Sequence, residues 1–274
     1  MKSKYAFLLS LQSLEYEINQ LNAFSREYPG CFELLKIKLD DLCRFMVNDE
    51  NEKRWHEWGN HDEVRQYSEK LRETSVKALC DMEKYQSQLL INKELEATSY
   101  IEQLSHAVQE ELDLFGIGPA SRVFFIGSGA YPLSALTIAK ESRAKVLCLD
   151  IDEEAVELGF KVASASGLQT LVDFAGGRLS DHPFIRQTTH VFIASLVPNK
   201  LEIVEEVKRV ARPDTKIIVR YGNGLKSLFN YPLHADLSYE WNLTPIIRNN
   251  SLYDTVLMES KLLTQERTIG YDPS

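Results

Sequence analysis

Apolar positions change their spacing along the chain near residue 117. Before that point they recur every three or four residues, as in residues 32–45 and 95–115. This spacing puts apolar side chains on one face of a helix, and it predicts four or five helices. The last helix should end at Gly116, because glycine readily adopts the left-handed conformation that closes helices. The polar run at residues 48–52 is interpreted as a loop.

After residue 119, short apolar runs alternate with amphipathic segments. This alternation is typical of βαβ units and of a parallel sheet that helices cover on both faces. The predicted strands are residues 123–126, 145–149, 190–194 and 216–219, followed by an antiparallel pair at 243–247 and 253–258. The predicted helices between the strands are residues 133–139, 153–165 and 201–210. The pattern therefore predicts an α/β fold: a methyltransferase-type, Rossmann-like doubly wound sheet (118–274) preceded by an all-α helical bundle (1–117).

The amino-acid composition disfavours several classes of binding partner. Forty acidic and 31 basic residues give a net charge of −9, which disfavours binding to nucleic acid or to an anionic membrane. The four cysteines form neither a CxxC pair nor a metal-ligand pattern, so we expect no metal site and reduced thiols in the cytoplasm. The first 21 residues begin with two lysines and an apolar run, yet the helical spacing of Leu8, Leu11 and Ile18 favours a helix over a signal peptide.

A glycine pair follows the first predicted strand. Gly127 and Gly129 allow a ligand to approach the backbone closely, and the helix that follows directs free N–H groups toward it. Pro132 stands where a dinucleotide fingerprint has its third glycine, so a pyrophosphate site is disfavoured. We expect Ser128, Tyr131 and Pro132, within the same turn, to contact the ligand as well. The alternative is a tight turn that binds nothing.

Asp150 ends the second strand, 21 residues after Gly129. A carboxylate at this position can accept hydrogen bonds from both ribose hydroxyls, so the two features together predict an adenosyl ligand. The alternative role for an acidic residue here is helix capping, which we expect of Asp152. Further cofactor contacts are expected from Ile151, Gly177, Ser195 and Leu196.

Arg220 directly follows the predicted strand at residues 216–219, and Tyr221 and two glycines come after it. An arginine there is suited to bidentate binding of a substrate carboxylate, and the alternative is an ion pair with an acidic helix. Tyr221, and Tyr231 further along the chain, are expected to line the substrate pocket.

The motifs described above resemble those of a known protein family. The segment Phe-Ile-Gly127-Ser-Gly129-Ala-Tyr-Pro132-Leu-Ser, preceded by a helical domain and followed by Ile-Val-Arg220-Tyr-Gly, resembles the nicotianamine synthase family. The similarity is greatest to its bacterial branch, which makes the aminobutyryl-histidine intermediate of opine-type metallophores. Ordinary methyltransferases usually have another glycine in place of Tyr131 and Pro132.

The resemblance implies a reaction other than methylation. It implies S-adenosylmethionine as co-substrate, transfer of its 3-amino-3-carboxypropyl group to histidine, with the L enantiomer favoured, and release of 5′-methylthioadenosine. It also implies a functional partner, an opine dehydrogenase, and an amino-terminal domain that covers the active site. The apolar amino-terminal helices suggest a homodimer.

The family's catalytic carboxylate and its amine-positioning tyrosine correspond to Asp81 and Tyr100. The alternative for Asp81 is a solvated helix face beside Glu83 and Lys84. Two alternative functions also stay open: a conventional small-molecule methyltransferase that uses the same adenosyl site, and a sensing or scaffolding protein that catalyses no reaction.

Overall fold

The structure is a computed structural model, and it describes residues 1–93, 108, 111–233, 237, 239–246, 248 and 251–261. The chain divides into two compact units. One comprises Met1–Glu83, Tyr221–His234 and Ile247–Asp254, and the other comprises Lys84–Arg220, Ala235–Ile246 and Thr255–Ser274. The division into domains at residue 117 stays a prediction.

The amino-terminal part of the chain is helical in the residues that the structure describes. Helix α1 (Lys2–Glu27) buries a stripe that includes Phe7, Leu11 and Ile18, spaced by four and seven residues as the sequence pattern predicts. None of the described helices is both long and apolar enough to cross a bilayer. The helices are α1 (Lys2–Glu27), α2 (Cys31–Met46), α3 (Asp49–Trp58) and α4 (Asp62–Ile91), and residues 111–115 are also helical.

One prediction for this part of the chain is wrong. Residues 48–52 do not form a loop, because α3 begins at Asp49. The Asn48 side chain accepts hydrogen bonds from the N–H groups of Glu50 and Asn51, and acidic side chains fill the first turn of the helix. A polar run of this kind is a helix start, since an N-cap and negative charge both stabilise that end. The prediction for Gly116 is confirmed: it follows the helical residues 111–115 with a φ of +71°.

A seven-stranded sheet forms the centre of the second unit. The strands are β1 (Arg122–Ile126), β2 (Lys145–Leu149), β3 (Val172–Ala175), β4 (His190–Ile193), β5 (Lys216–Tyr221), β6 (Trp241–Ile246) and β7 (Asp254–Ser260). Their order in the sheet is β3-β2-β1-β4-β5-β7-β6. Neighbours among β1 to β5 pair in parallel, and β6 pairs antiparallel with β7. Between strands lie α5 (Leu133–Ser142), α6 (Glu153–Ala165) and α7 (Lys200–Val210).

This sheet confirms the predicted fold class. Each of the six predicted strands is present, and its ends agree with the prediction within two residues. The central strands β1 and β4 are fully apolar and buried after their first residue, as expected for strands covered on both faces. Phe125 and Phe192 stack across them with ring centroids 5.7 Å apart.

A histidine is buried in this core. His190 on β4 is 5% exposed, and its Nε2 lies 3.1 Å from the carbonyl oxygen of Phe115. Because a carbonyl can only accept, Nε2 carries the proton. Burial lowers the pKa of His190, and the nearby Lys216 ammonium acts in the same direction. The ring is therefore held neutral in the folded protein.

His190 should make the fold sensitive to acid. In the unfolded chain the His190 imidazole takes up a proton at about pH 6.5, and in the folded chain it does so only at lower pH. The free energy of unfolding therefore falls as the pH drops through that value. We expect the His190→Gln variant, which keeps an N–H for the Phe115 carbonyl, to lose less unfolding free energy than wild type between about pH 7 and about pH 5. Urea titrations measure this loss. The exposed His56 supplies the control, His56→Gln, which should behave as wild type; equal losses in all three proteins would contradict the prediction.

Candidate active site

Three turns at the carboxyl edge of the sheet form the candidate site in the second unit. They follow β1, β2 and β4, which are neighbours in the order β2-β1-β4. The chain reverses its direction of strand addition between β1 and β4. Open α/β sheets bind ligands at such a switch point, beyond the carboxyl ends of the strands.

The turn after β1 contains the glycine pair. Gly127 and Gly129 have φ angles of +76° and +69°, which side-chain-bearing residues rarely adopt. The Gly127 N–H donates to the Leu149 carbonyl at the end of β2, 2.8 Å away. A Cβ at position 127 would collide with the Cγ2 methyl of Val197. Glycine is therefore needed both for the backbone angle and for the close approach of the turn after β4.

Asp150 joins the turn after β2 to the glycine turn. Its Oδ2 accepts from the Gly129 N–H at 2.8 Å, and its Oδ1 accepts from the Asp152 N–H at 3.1 Å. Each carboxylate oxygen has a second lone pair, so both remain able to accept from a ligand hydroxyl. The predicted capping role of Asp152 is confirmed, since its Oδ1 accepts from the N–H groups of Glu154 and Ala155 at the start of α6.

The other predicted cofactor residues differ in accessibility. Ile151 is 92% exposed, which leaves an apolar side chain beside Asp150 for a base to pack on. Gly177 has a φ of +86°, and Ser195 and Leu196 are partly exposed. Ser128 and Tyr131 are buried, and Pro132 is the N-cap residue of α5.

These features suit an adenosyl group. An acidic acceptor, an exposed apolar side chain and a glycine turn at a helix start are the elements that hold a ribose, a base and a ligand tail. In the residues that the structure describes, no group of three or more His, Cys, Asp or Glu side chains is arranged to hold a metal ion.

A buried lysine organises the turn after β4, and sequence reasoning missed it. Lys200 is 2% exposed, and its ammonium donates to the carbonyls of Ser195 and Val197 at 2.9 and 2.5 Å. The available signal was its position: Lys200 is the first residue of α7, where the helix dipole disfavours a cation. A lysine in that position indicates that other acceptors compensate for the dipole.

Arg220 makes a buried ion pair. Its Nη2 lies 2.6 Å from Glu111 Oε2, and its Nη1 donates to Ser134 Oγ at 3.0 Å. Its guanidinium also lies against the rings of Phe125 and Phe192, at 5.8 and 5.5 Å. A carboxylate of the protein itself therefore contacts this arginine, and binding of a substrate carboxylate by Arg220 stays a prediction. Sequence reasoning missed Glu111, which is 1% exposed.

The predicted catalytic carboxylate, Asp81, belongs to the first unit. Asp81 on α4 accepts from Arg26 at 2.8 Å and from Asn22 at 2.9 Å, and its side chain is 25% exposed. Oδ2 of Asp81 accepts both of these hydrogen bonds. Tyr100 lies outside the described residues.

The two tyrosines predicted to line the substrate pocket, Tyr221 and Tyr231, are both partly buried in the first unit. Burial and a hydrogen bond to Glu73, 2.7 Å from the hydroxyl, raise the pKa of Tyr231 to about 12. Arg72 lies over its ring at 5.0 Å. Burial also raises the pKa of Tyr221. Both phenols are therefore protonated donors at neutral pH.

Comparison with known proteins decides the family. A family model described as "Nicotianamine synthase protein" matches residues 59–265. The chain belongs to the nicotianamine synthase family. Its relatives include proteins named L-histidine 2-aminobutanoyltransferase. The one from Pseudomonas aeruginosa (strain UCBPP-PA14) is 36% identical over 94% of this chain and 98% of its own length. The one from Yersinia pestis is 31% identical over 92% and 95%.

Solved structures agree with this family assignment at the level of fold. A glutamate-to-glutamine mutant of MtNAS in complex with S-adenosylmethionine aligns with a TM-score of 0.70 at 18% identity, covering 90% of this chain and 97% of its own. MtNAS in complex with MTA and tNA aligns with a TM-score of 0.73 at 16% identity, covering 91% and 97%. The nicotianamine synthase fold therefore extends over almost the whole chain.

The glycine turn of this family member offers a test of its geometry. We expect Gly127→Ala to lower the free energy of unfolding by about 1–3 kcal/mol, because alanine must adopt a strained φ and its Cβ collides with Val197. The control is Gly30→Ala, where φ is −60° and a Cβ meets nothing within 4 Å. Urea unfolding of both variants measures the difference. Similar stabilities for the two would show that the turn does not require glycine.

Proposed function

We propose that the protein transfers the 3-amino-3-carboxypropyl group of S-adenosylmethionine to the amine of L-histidine and releases 5′-methylthioadenosine. The observation that carries this proposal is the similarity, over almost the whole of both chains, to relatives named L-histidine 2-aminobutanoyltransferase. The nucleoside-type site at Gly127, Gly129 and Asp150 supports it independently. The L enantiomer follows the names of these relatives.

Different residues of the candidate site would bind different parts of S-adenosylmethionine. Asp150 would accept from the ribose hydroxyls, and Ile151 and Gly177 would line the base. The glycine turn with Ser128, Tyr131 and Pro132, and the opposite turn at Ser195 and Leu196, would hold the ligand tail. S-adenosylmethionine supplies a carbon that is bonded to a sulfonium sulfur and is therefore open to nucleophilic attack.

The acceptor must be a neutral amine in line with that carbon. The histidine nitrogen donates its lone pair to the new N–C bond while the C–S bond breaks and its electron pair goes to sulfur. The nitrogen then loses a proton to a base. We assign that base to Asp81, with Tyr100 orienting the amine, and Asn22 and Arg26 would fix the orientation of the Asp81 carboxylate.

Tyr221 and Tyr231 would border the acceptor. For Arg220, the pair with Glu111 favours support of the α5 start over contact with substrate.

We further propose that the product is an intermediate of an opine-type metallophore used in metal acquisition, which an opine dehydrogenase would complete with an α-keto acid. A reducing, cytoplasmic setting is supported by the spacing of the four cysteines, which form no CxxC pair.

The product distinguishes this activity from its alternatives. Incubation with S-adenosylmethionine and L-histidine should yield methylthioadenosine and aminobutanoyl-histidine, measured by mass spectrometry, and D-histidine should yield less. S-adenosylhomocysteine would instead indicate a methyltransferase, and absence of turnover would indicate a sensing protein.

Asp81→Asn should lower kcat by at least about 100-fold while methylthioadenosine binding is retained. Asp41→Asn is the matched control, since Asp41 is also an arginine-paired helical carboxylate. Full activity of Asp81→Asn would place the base elsewhere.

We also propose that the protein is a homodimer. Large apolar side chains on α1 and α2 are exposed, and those on α1 follow one face at spacings of four and seven residues. Such a surface is typical of an interface. The residues are Tyr5, Leu9 and Tyr16 on α1 and Leu34 and Ile37 on α2.

Light scattering after gel filtration tests the dimer. Wild type should have twice the mass of one chain. The double variant Leu9→Glu with Tyr16→Glu should have the mass of one chain, because charges would replace apolar contacts. Phe160→Glu is the control, since Phe160 is comparably exposed on a different helix. A wild-type protein with the mass of one chain would refute the proposal.

A further inference from the structure

The last two turns of α4 contact both turns that form the nucleoside-type site. Ser87 is fully buried, and its hydroxyl donates to the carbonyl oxygen of Ala130 at 2.8 Å. Ala130 lies in the glycine turn, directly after Gly129. A buried carbonyl in a turn without regular backbone pairing needs such a donor. The Ser87 hydroxyl therefore fixes the glycine turn from outside the sheet.

Lys84, one turn earlier on α4, contacts the other turn. Its ammonium lies 2.7 Å from Asp152 Oδ2 and 2.6 Å from Glu154 Oε2. Asp152 is also the residue whose N–H donates to Asp150 Oδ1. Burial opposes the charge of Lys84, but the two carboxylates outweigh it and raise its pKa, and Lys84 in turn lowers the pKa of Asp152. The ion pair is therefore charged at neutral pH and bears on the segment that carries Asp150.

Apolar contacts complete this face of the helix. Ile91 packs against the cluster formed by Ala130, Ala155 and Leu158, and Leu90 belongs to the core cluster that contains Tyr131. Lys84, Ser87 and Ile91 are separated by three and four residues, so they follow one face of α4. One rigid helical face thus contacts the glycine turn and the first turn of α6.

We propose that Lys84 and Ser87 are positioning residues that hold the glycine turn and the Asp150 turn in the arrangement that binds the adenosyl group. Neither residue touches the ligand in this scheme. Their effect is preorganisation: turns that are already ordered lose less conformational entropy when a ligand binds, and the ligand binds more tightly. This inference rests on the proposed function, since it takes 5′-methylthioadenosine and S-adenosylmethionine as the ligands.

Calorimetric titration with 5′-methylthioadenosine provides the test. Ser87→Ala and Lys84→Met should each raise its Kd by about 3- to 10-fold, in line with the loss of one hydrogen bond or ion-pair contact. Two matched controls should leave the Kd within about twofold. Ser68→Ala removes a buried hydroxyl on the same helix that bonds to Val64, and Lys161→Met removes an ion pair with Glu157 within α6.

Kinetics separate positioning from a general loss of stability. The two variants should raise the KM for S-adenosylmethionine while kcat changes less than about twofold, and Lys84→Arg should restore the Kd. Salt supplies a further readout, because methylthioadenosine is uncharged and Lys84 is 22% exposed. The Kd for methylthioadenosine should rise with salt concentration in wild type and stay constant in Lys84→Met.

The two proposals fail in different ways. A wild-type protein that does not bind methylthioadenosine would refute the proposed function and this inference with it. Wild-type binding, with unchanged Kd in both Ser87→Ala and Lys84→Met, would overturn the positioning role alone. A lowered melting temperature without any change in Kd or KM would likewise overturn it, since that result describes a purely structural contact.

Discussion

The hydrogen bond between the Asp150 carboxylate and the Gly129 N–H is the interaction on which the candidate site depends. It joins two adjacent βα turns, and it orients a carboxylate that must also accept from a ribose. A carboxylate accepting backbone N–H groups is already desolvated in part and held in one rotamer. The remaining features of the site follow from this fixed point: the turn must be glycine-rich to bring its N–H to Asp150, and the turn after β4 must approach Gly127 closely.

Charged side chains serve the same purpose in three places around the sheet. Lys200 holds the turn after β4 through backbone carbonyls, Lys84 holds the start of α6 through carboxylates, and Arg220 holds the start of α5 through Ser134. Each long side chain ties an irregular segment to a helix or strand. Turns cannot be fixed by apolar packing alone, because their backbone polar groups need partners. The three cations beside the candidate site therefore each have acceptors within the chain.

How much of this was accessible from sequence depends on the range of each interaction. The strands were predictable because a buried parallel strand is a continuous local run such as residues 123–126, and the capping role of Asp152 because a cap acts within three residues. The same local reasoning failed at residues 48–52, where Asn48 starts a helix and polarity alone suggested a loop. The pair of Arg220 with Glu111 and the contact of Ser87 with Ala130 join residues 109 and 43 positions apart. Spacing along the chain carries no information about such contacts.

That separation between Glu111 and Arg220 also constrains the order in which the chain can fold. Glu111 is synthesised 109 residues before its partner, and almost the whole parallel sheet lies between them. An unpaired carboxylate cannot enter the core, where loss of one partner of a buried pair costs about 3–5 kcal/mol. Docking of residues 111–115 without Arg220 would therefore bury an unpaired Glu111 carboxylate at a cost of this order. We expect the helical segment to dock stably onto the sheet only when the fifth strand is in place.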